Sequence, residues 1–279
     1  MSNRNSHASK QAARERMRAE RERQAKRDRT RRQLIVAGAI VGVLAIAGAG
    51  GYALSQLGKD GADTSAWDKA KDKKLVKPAN TTGKDGTTVV IGKESAKKTL
   101  EIFEDPRCPV CATFEQNVGE TVAKDLEAGK YKLQFNGATF LDEVLQPTGT
   151  GSKNALSALG AALDVSPEAF LDYKAALYSE KWHPEESDDK FADDDYLIEV
   201  ANTVDALKDN KGFQSAVKDG TYDKWAITLD AEKFDKNKYG VQGTPSLVMD
   251  GKKVTAEGSD NAPMTPEEFN AAIDKALAG

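Results

Sequence analysis

The 279-residue chain predicts an α/β domain carrying an inserted helical block, preceded by one N-terminal transmembrane helix. Three observations carry that reading. A single uncharged run, Leu34–Leu54, follows a strongly basic arm. Short β-branched strands frame a long stretch whose apolar residues recur at helical spacing. The only two cysteines lie three apart, where a strand gives way to a helix. Composition bounds the rest. With 39% hydrophobic and 30% charged residues the chain can bury a sizeable core, and two cysteines are too few for a disulfide-stapled scaffold. The chain is also too polar for a protein that crosses a membrane many times.

The net charge of -4 hides a split. Residues 1–33 hold 12 Lys and Arg against 4 Asp and Glu, a net +8, so the remainder carries −12. The uncharged run that follows, LIVAGAIVGVLAIAGAGGYAL, would form a helix about 32 Å long, enough to cross the hydrocarbon core. Basic residues on its N-terminal side place that side in the cytoplasm and everything after Tyr52 outside. The expected arrangement is a basic cytoplasmic tail over 1–33, a single-pass helix over 34–54 in the cell membrane, and an extracytoplasmic remainder. A cleaved signal peptide is the competing reading, with Ala45-Ile46-Ala47 and Ala47-Gly48-Ala49 as processing sites, but the basic region is long and the apolar run exceeds a signal core. No cysteine stands near the segment to carry a lipoprotein anchor. Nucleic-acid binding by the arm is disfavoured because no aromatics interleave its arginines; topology and anionic lipid explain them better. The partner expected for this part of the chain is the lipid bilayer.

Residues 55–85 are polar, with Gly and one Pro, and read as a linker. From 86 to 279 the pattern is globular. Val89–Ile91 is a short β-branched strand, and Thr99–Phe103 is a second, ended by Asp105-Pro106. Cys108–Leu126 is helical, with Phe114, Val118, Val122 and Leu126 four apart. Tyr131–Phe135 alternates as a strand. The helical insertion spans about 150–222 and shows three stripes: Leu156, Leu159 and Leu163; Phe170, Tyr173 and Leu177, opened by Ser166-Pro167-Glu168; and Leu197 through Leu207. A helix near Ala231–Tyr239 follows. Ser246–Met249 and Lys252–Val254 then form a hairpin about Asp250-Gly251. Thr265 caps a last helix running to Leu277.

The chemistry lies in Cys108-Pro109-Val110-Cys111. Cys108 falls at the start of the helix, where unpaired backbone N–H groups and the positive helix end stabilise a thiolate. Arg107 either adds to that field or points into solvent. A lowered pKa makes Cys108 a nucleophile and a good leaving group, with Cys111 one turn on and within reach of its sulfur. Pro109 suits the first helical turn, since the N–H it lacks would have no partner there. Between them, Pro109 and Val110 tune the pair without offering a side-chain donor to the thiolate, which argues against a very strong oxidant. Alternatives are weak. A zinc site needs four ligands, and no second cysteine pair exists; the only histidines are His7 and His183. A purely structural disulfide across two residues would staple almost no loop. Soft-metal binding on two thiolates lacks an accompanying Met cluster. His183, in Trp182-His183-Pro184, reads as a surface loop residue.

A second motif, Val241-Gln242-Gly243-Thr244-Pro245, leads directly into the strand Ser246–Met249. Its Thr244–Pro245 bond is either a cis peptide that turns the chain sharply or an ordinary trans turn at a strand start.

Taken together, Phe103-Glu104-Asp105-Pro106-Arg107-Cys108-Pro109-Val110-Cys111, the later Gly-Thr-Pro loop and the helical block between them resemble the DsbA-like branch of the thioredoxin superfamily. The resemblance covers roughly residues 86–279, with one extra residue between Phe103 and Asp105. It implies a thioredoxin fold in which Cys108 is the attacking cysteine and Cys111 its partner. Pro245 would be a cis-proline facing the disulfide, and the backbone at Thr244 would pair with an extended substrate segment. It also implies dithiol–disulfide exchange with cysteine-containing extracytoplasmic proteins, no cofactor, and a membrane redox partner, a quinone-linked oxidase of DsbB or VKOR type. Location outside the cytoplasm favours the oxidising direction. An outward-facing reductase or isomerase, or a non-enzymatic peptide-binding module, stands as the alternative. The family often carries a buried acid in the strand before the cysteines. Glu101 and Glu104 are both candidates, on opposite faces of that strand.

Overall fold

The computed structural model describes residues 64–145 and 148–279. The basic tail and the apolar run Leu34–Leu54 lie outside the described residues. Among those described, no helix is long and apolar enough to cross a membrane.

Five strands form one mixed sheet: β1 (Val89–Ile91), β2 (Thr99–Glu104), β3 (Lys132–Gly137), β4 (Ser246–Met249) and β5 (Lys252–Lys253). Their spatial order is β1-β3-β2-β4-β5. Only β2 and β3 run parallel, with Ile102 opposite Phe135; the other three pairings are antiparallel. Parallel neighbours need a crossover. It is supplied by the 20-residue helix Pro109–Ala128, which ends at Gly129 in the left-handed conformation.

Strand β2 sits at the centre and sorts its side chains by parity. Leu100 and Ile102 enter a core with Phe114, Val118, Val122 and Leu126 of the crossover helix and Phe269 and Ile273 of the C-terminal helix Pro266–Ala278. Burying each of those apolar side chains contributes roughly 1.5–3 kcal/mol. Phe103 faces the other way, into a smaller cluster with Val241, Val248 and Phe234. The Asp250-Gly251 turn has positive φ at both residues, which suits the twist of a two-residue hairpin. Both helix starts that Ser166 and Thr265 announce are capped, by hydrogen bonds from Ala169 N and Glu268 N to their hydroxyls.

The helical insertion is longer than the expected 150–222. It begins with the short helix Leu141–Val144 and runs through Gly151–Val165, Pro167–Leu177, Asp194–Ala201, Lys211–Lys218 and Asp223–Asp230. The third stripe is not one helix: it ends at Ala201, and Val204 and Leu207 reach the core from turns. The helix expected near Ala231–Tyr239 is a single π turn, Ala231–Asp235. The missed helix, Asp223–Asp230, carries Trp225, wholly buried, whose indole N–H donates to Gly86 O at 2.7 Å.

The expected linker over 55–85 is folded from residue 64 on. Ser65–Ala70 is a helix with Ala70 buried. Ala79 N donates to Asp164 Oδ1 and Asn80 Nδ2 to Leu163 O, both at 2.8 Å, and Lys73 pairs with Asp223 at 3.0 Å. Polar backbone and side-chain bonds hold this strap, so its composition reads as loose chain although its geometry is not.

Candidate active site

Strand β2 ends in a turn, Asp105–Cys108, closed by a hydrogen bond from Cys108 N to Asp105 O at 2.9 Å. Cys108 is the N-cap of the crossover helix and Pro109 its first residue. An N-cap side chain faces the unpaired N–H groups of the first turn. Here that side chain is a thiol: Cys108 Sγ accepts from Cys111 N at 3.4 Å. Both thiols are free, with Cys108 5% exposed and Cys111 wholly buried.

The two sulfurs are electrostatically unequal. Burial pushes Cys108 up, but the Cys111 thiol, the Thr244 hydroxyl and the N–H groups of Cys111 and Val110 outweigh it and hold this thiol below its ordinary range. Cys111 is pushed well up by burial, then by its hydrogen bond with Cys108 and by the charges of Cys108 and Glu104. One sulfur therefore favours the thiolate and its neighbour keeps its proton.

The Gly-Thr-Pro loop closes over this pair. Thr244–Pro245 is a cis peptide, and the Thr244 carbonyl accepts from Cys108 Sγ at 3.4 Å. Thr244 Oγ1 is buried beside the sulfurs without a hydrogen-bond partner of its own. The structure thus gathers Cys108, Cys111 and the Thr244–Pro245 loop at one point, with Pro109 and Val110 on the turn between the sulfurs.

Beneath the pair lies the acid that sequence left open. Glu104 is wholly buried, whereas Glu101 is half-buried on the opposite face, bonded to Gln134, Asn136 and Tyr239. Lys174 reaches Glu104 Oε2 at 3.1 Å and Glu115 Oε2 at 2.6 Å. Burial raises the Glu104 carboxyl to about 7, with Lys174 pulling it down and Glu115 pushing it up. Sequence reasoning missed Lys174 and Glu115. Each had a signal: Glu115 stands one turn after Cys111, and Lys174 interrupts the apolar spacing of Phe170 and Tyr178.

Arg107 does neither of the two things expected of it. It is buried, and its guanidinium is taken up by Asp142 at 3.2 Å, Asp189 at 3.1 Å and Glu186 O at 3.4 Å. Two carboxylates balance its charge, so stabilisation of a thiolate falls to Cys111, Thr244 and the helix N–H groups. His183 lies in a loop, as expected, but is half-buried there: its ring stacks on Tyr178, and burial lowers its pKa to about 4.

A fold with a central crossover helix, a cysteine pair at its start and a cis-proline loop opposite defines a thioredoxin-type protein. The chain belongs to the thioredoxin family, whose family model, described as Thioredoxin, matches residues 84–275. Within it the chain is DsbA-like. The structure of oxidised Mycobacterium tuberculosis DsbA superposes with a TM-score of 0.54 at 25% identity, covering 69% of this chain and 93% of that one. The Bacillus subtilis Disulfide bond formation protein D is 22% identical over 166 residues, 59% of this chain and 68% of that protein. The Mycobacterium tuberculosis serine/threonine-protein kinase PknE is 25% identical over 118 residues, 42% of this chain. That match spans only 21% of the kinase's length.

Proposed function

We propose that this protein is a membrane-anchored thiol–disulfide oxidoreductase that exchanges disulfides with cysteines of secreted or membrane proteins through Cys108 and Cys111, in the oxidising direction. The observation that carries the reading is the inequality of the two sulfurs: Cys108 at the helix start, held below the usual thiol range, and Cys111 buried behind it and held above.

In the oxidising direction a substrate thiolate attacks Cys108 Sγ of the Cys108–Cys111 disulfide. The S–S bond breaks, Cys111 leaves as a thiolate, and its raised pKa draws a proton onto it. Glu104, with a carboxyl near 7, supplies that proton and is left as a carboxylate beside Lys174. A second substrate thiolate then attacks the substrate sulfur of the mixed disulfide, and Cys108 leaves as the stabilised thiolate. Two electrons pass from substrate to protein, which a membrane oxidant of the quinone-linked type removes. The backbone at Thr244 pairs with the extended substrate segment. The basic arm, the apolar run Leu34–Leu54 and the oxidising demands of the reaction support a single-pass anchor with the catalytic domain outside.

The test uses two variants. Cys108→Ser abolishes exchange, and Cys111→Ala accumulates mixed disulfides with substrate. Turnover persisting in Cys108→Ser rules the mechanism out. Because Pro109 and Val110 donate nothing to the thiolate from their side chains, direction is tested separately. Equilibration with a glutathione series distinguishes an oxidant from a reductase, whose potential is strongly negative.

A further inference from the structure

The dipeptide between the cysteines has no polar side chain, yet in the turn leading into Cys108 every acceptor of Asp105 and Pro106 is held. Asp105 Oδ1 accepts from Arg107 N at 3.0 Å and Ser152 Oγ at 2.6 Å, and Oδ2 from Leu141 N at 3.1 Å. The Asp105 carbonyl accepts from Tyr178 Oη at 3.1 Å as well as from Cys108 N. The Pro106 carbonyl lies 3.2 Å from His183 Nε2. Every side chain that donates to an acceptor of Asp105 or Pro106 belongs to the helical insertion.

Two of these groups, Tyr178 and His183, are not among the ion-pair partners of Arg107. Tyr178 ends the helix Pro167–Leu177 and packs in one buried cluster with Cys108 and Cys111. His183 stacks against it with ring centroids 5.9 Å apart and meets Phe191 edge-on at the same separation. The two rings form a wall whose polar atoms both aim at the backbone just before the nucleophile. Such placement is more than packing. A carbonyl released from its donor is free to swing, and the turn that fixes the Cys108 N-cap opens with it. The sulfur then leaves the N–H of Cys111 for part of the time and loses the stabilisation of its charge.

We infer that Tyr178 and His183 are positioning residues for Cys108: by donating to the carbonyls of Asp105 and Pro106 they fix the turn that sets the sulfur over the first N–H groups of its helix. The inference rests on the exchange reading above and assigns to the helical insertion the task of shaping the nucleophile's environment.

The experiment compares Tyr178→Phe, His183→Phe and His183→Gln in the full-length reduced protein. Tyr178→Phe keeps the ring and removes one donor; His183→Phe keeps an aromatic ring against Tyr178 and Phe191; His183→Gln retains an N–H donor. Iodoacetamide alkylation of Cys108 at pH 6 is expected to slow about fivefold in each Phe variant, the cost of one neutral hydrogen bond. The glutathione equilibrium shifts toward the disulfide form, because the reduced form has lost thiolate stabilisation. His183→Gln stays within about twofold of wild type on both measures. Folded Phe variants that alkylate and equilibrate as wild type does overturn the inference, as does His183→Gln falling as far as His183→Phe. Tyr178→Phe decides the matter if His183→Phe does not fold. A wild-type Cys108 that is itself inert to alkylation sinks the exchange reading and this inference together; a reactive wild type with unaltered variants sinks the inference alone.

Discussion

Replacing Glu104 by Gln makes the buried acid report on itself. The carboxyl titrates at 4.5 when unhindered and near 7 in the folded protein, because burial penalises its charge more than Lys174 at 3.1 Å relieves it. The folded state therefore binds this proton more tightly than the unfolded chain. The favourable effect is fully present below pH 4.5 and is lost as pH rises through 7. A rise from 4.5 to about 7 corresponds to about 3 kcal/mol. Reduced wild-type protein should lose about that much more stability between pH 4 and pH 8 than Glu104→Gln does. The Gln variant leaves Lys174 with Glu115 at 2.6 Å, so no buried ammonium is stranded. Urea titrations of both proteins across that range measure the difference. Parallel pH profiles for the two proteins would refute the assignment of the raised acid to Glu104. The same variant lowers the Cys111 pKa, since one of the charges that raises it is gone.

Three further outcomes can be checked by urea denaturation. Gly160→Ala places a Cβ 2.8 Å from Trp225 Cε3 and 3.0 Å from Tyr222 Cβ, and should cost about 1–3 kcal/mol. Asp142→Leu leaves the buried Arg107 with one carboxylate, Asp189, and removes the acceptor of Ser152 N and Lys153 N; a loss of about 3 kcal/mol is expected. Thr265→Ala removes the cap on Glu268 N of the last helix and should cost about 1 kcal/mol, with the midpoint moved and the slope unchanged.

What could be read from sequence is what repeats locally. The four-residue spacing of Phe114, Val118, Val122 and Leu126 marks one helix face, and all four are buried. Cys108 as helix start, Ser166 and Thr265 as caps, and the Asp250-Gly251 turn each depend on near neighbours. The choice between Glu101 and Glu104 does not, because it turns on which face of β2 the helices cover. Arg107 was opaque for the same reason: its carboxylates come from Asp142 and Asp189, brought in by elements far along the chain. His183 has an unremarkable local sequence, and only the packing of Tyr178 and Phe191 around it reveals its burial. The strap after residue 64 reads as a linker because its composition is polar, while its anchors, Asp164, Leu163 O, Asp223 and the core that receives Leu75, come from far along the chain. The third helical stripe misled because apolar spacing continued after Ala201 while the backbone did not.

Gly149 and Gly151 have no room for a methyl group: an added Cβ at the first would overlap Arg107 and Asp189, and at the second Asp189 again. The space that a pair of ordinary residues would fill is occupied by charge. Drift at these sites is therefore correlated rather than independent. A descendant that acquired alanine at either glycine would first have to move or shed the Asp189 carboxylate, and at Gly149 the guanidinium as well, and one that shed them would have a void to fill.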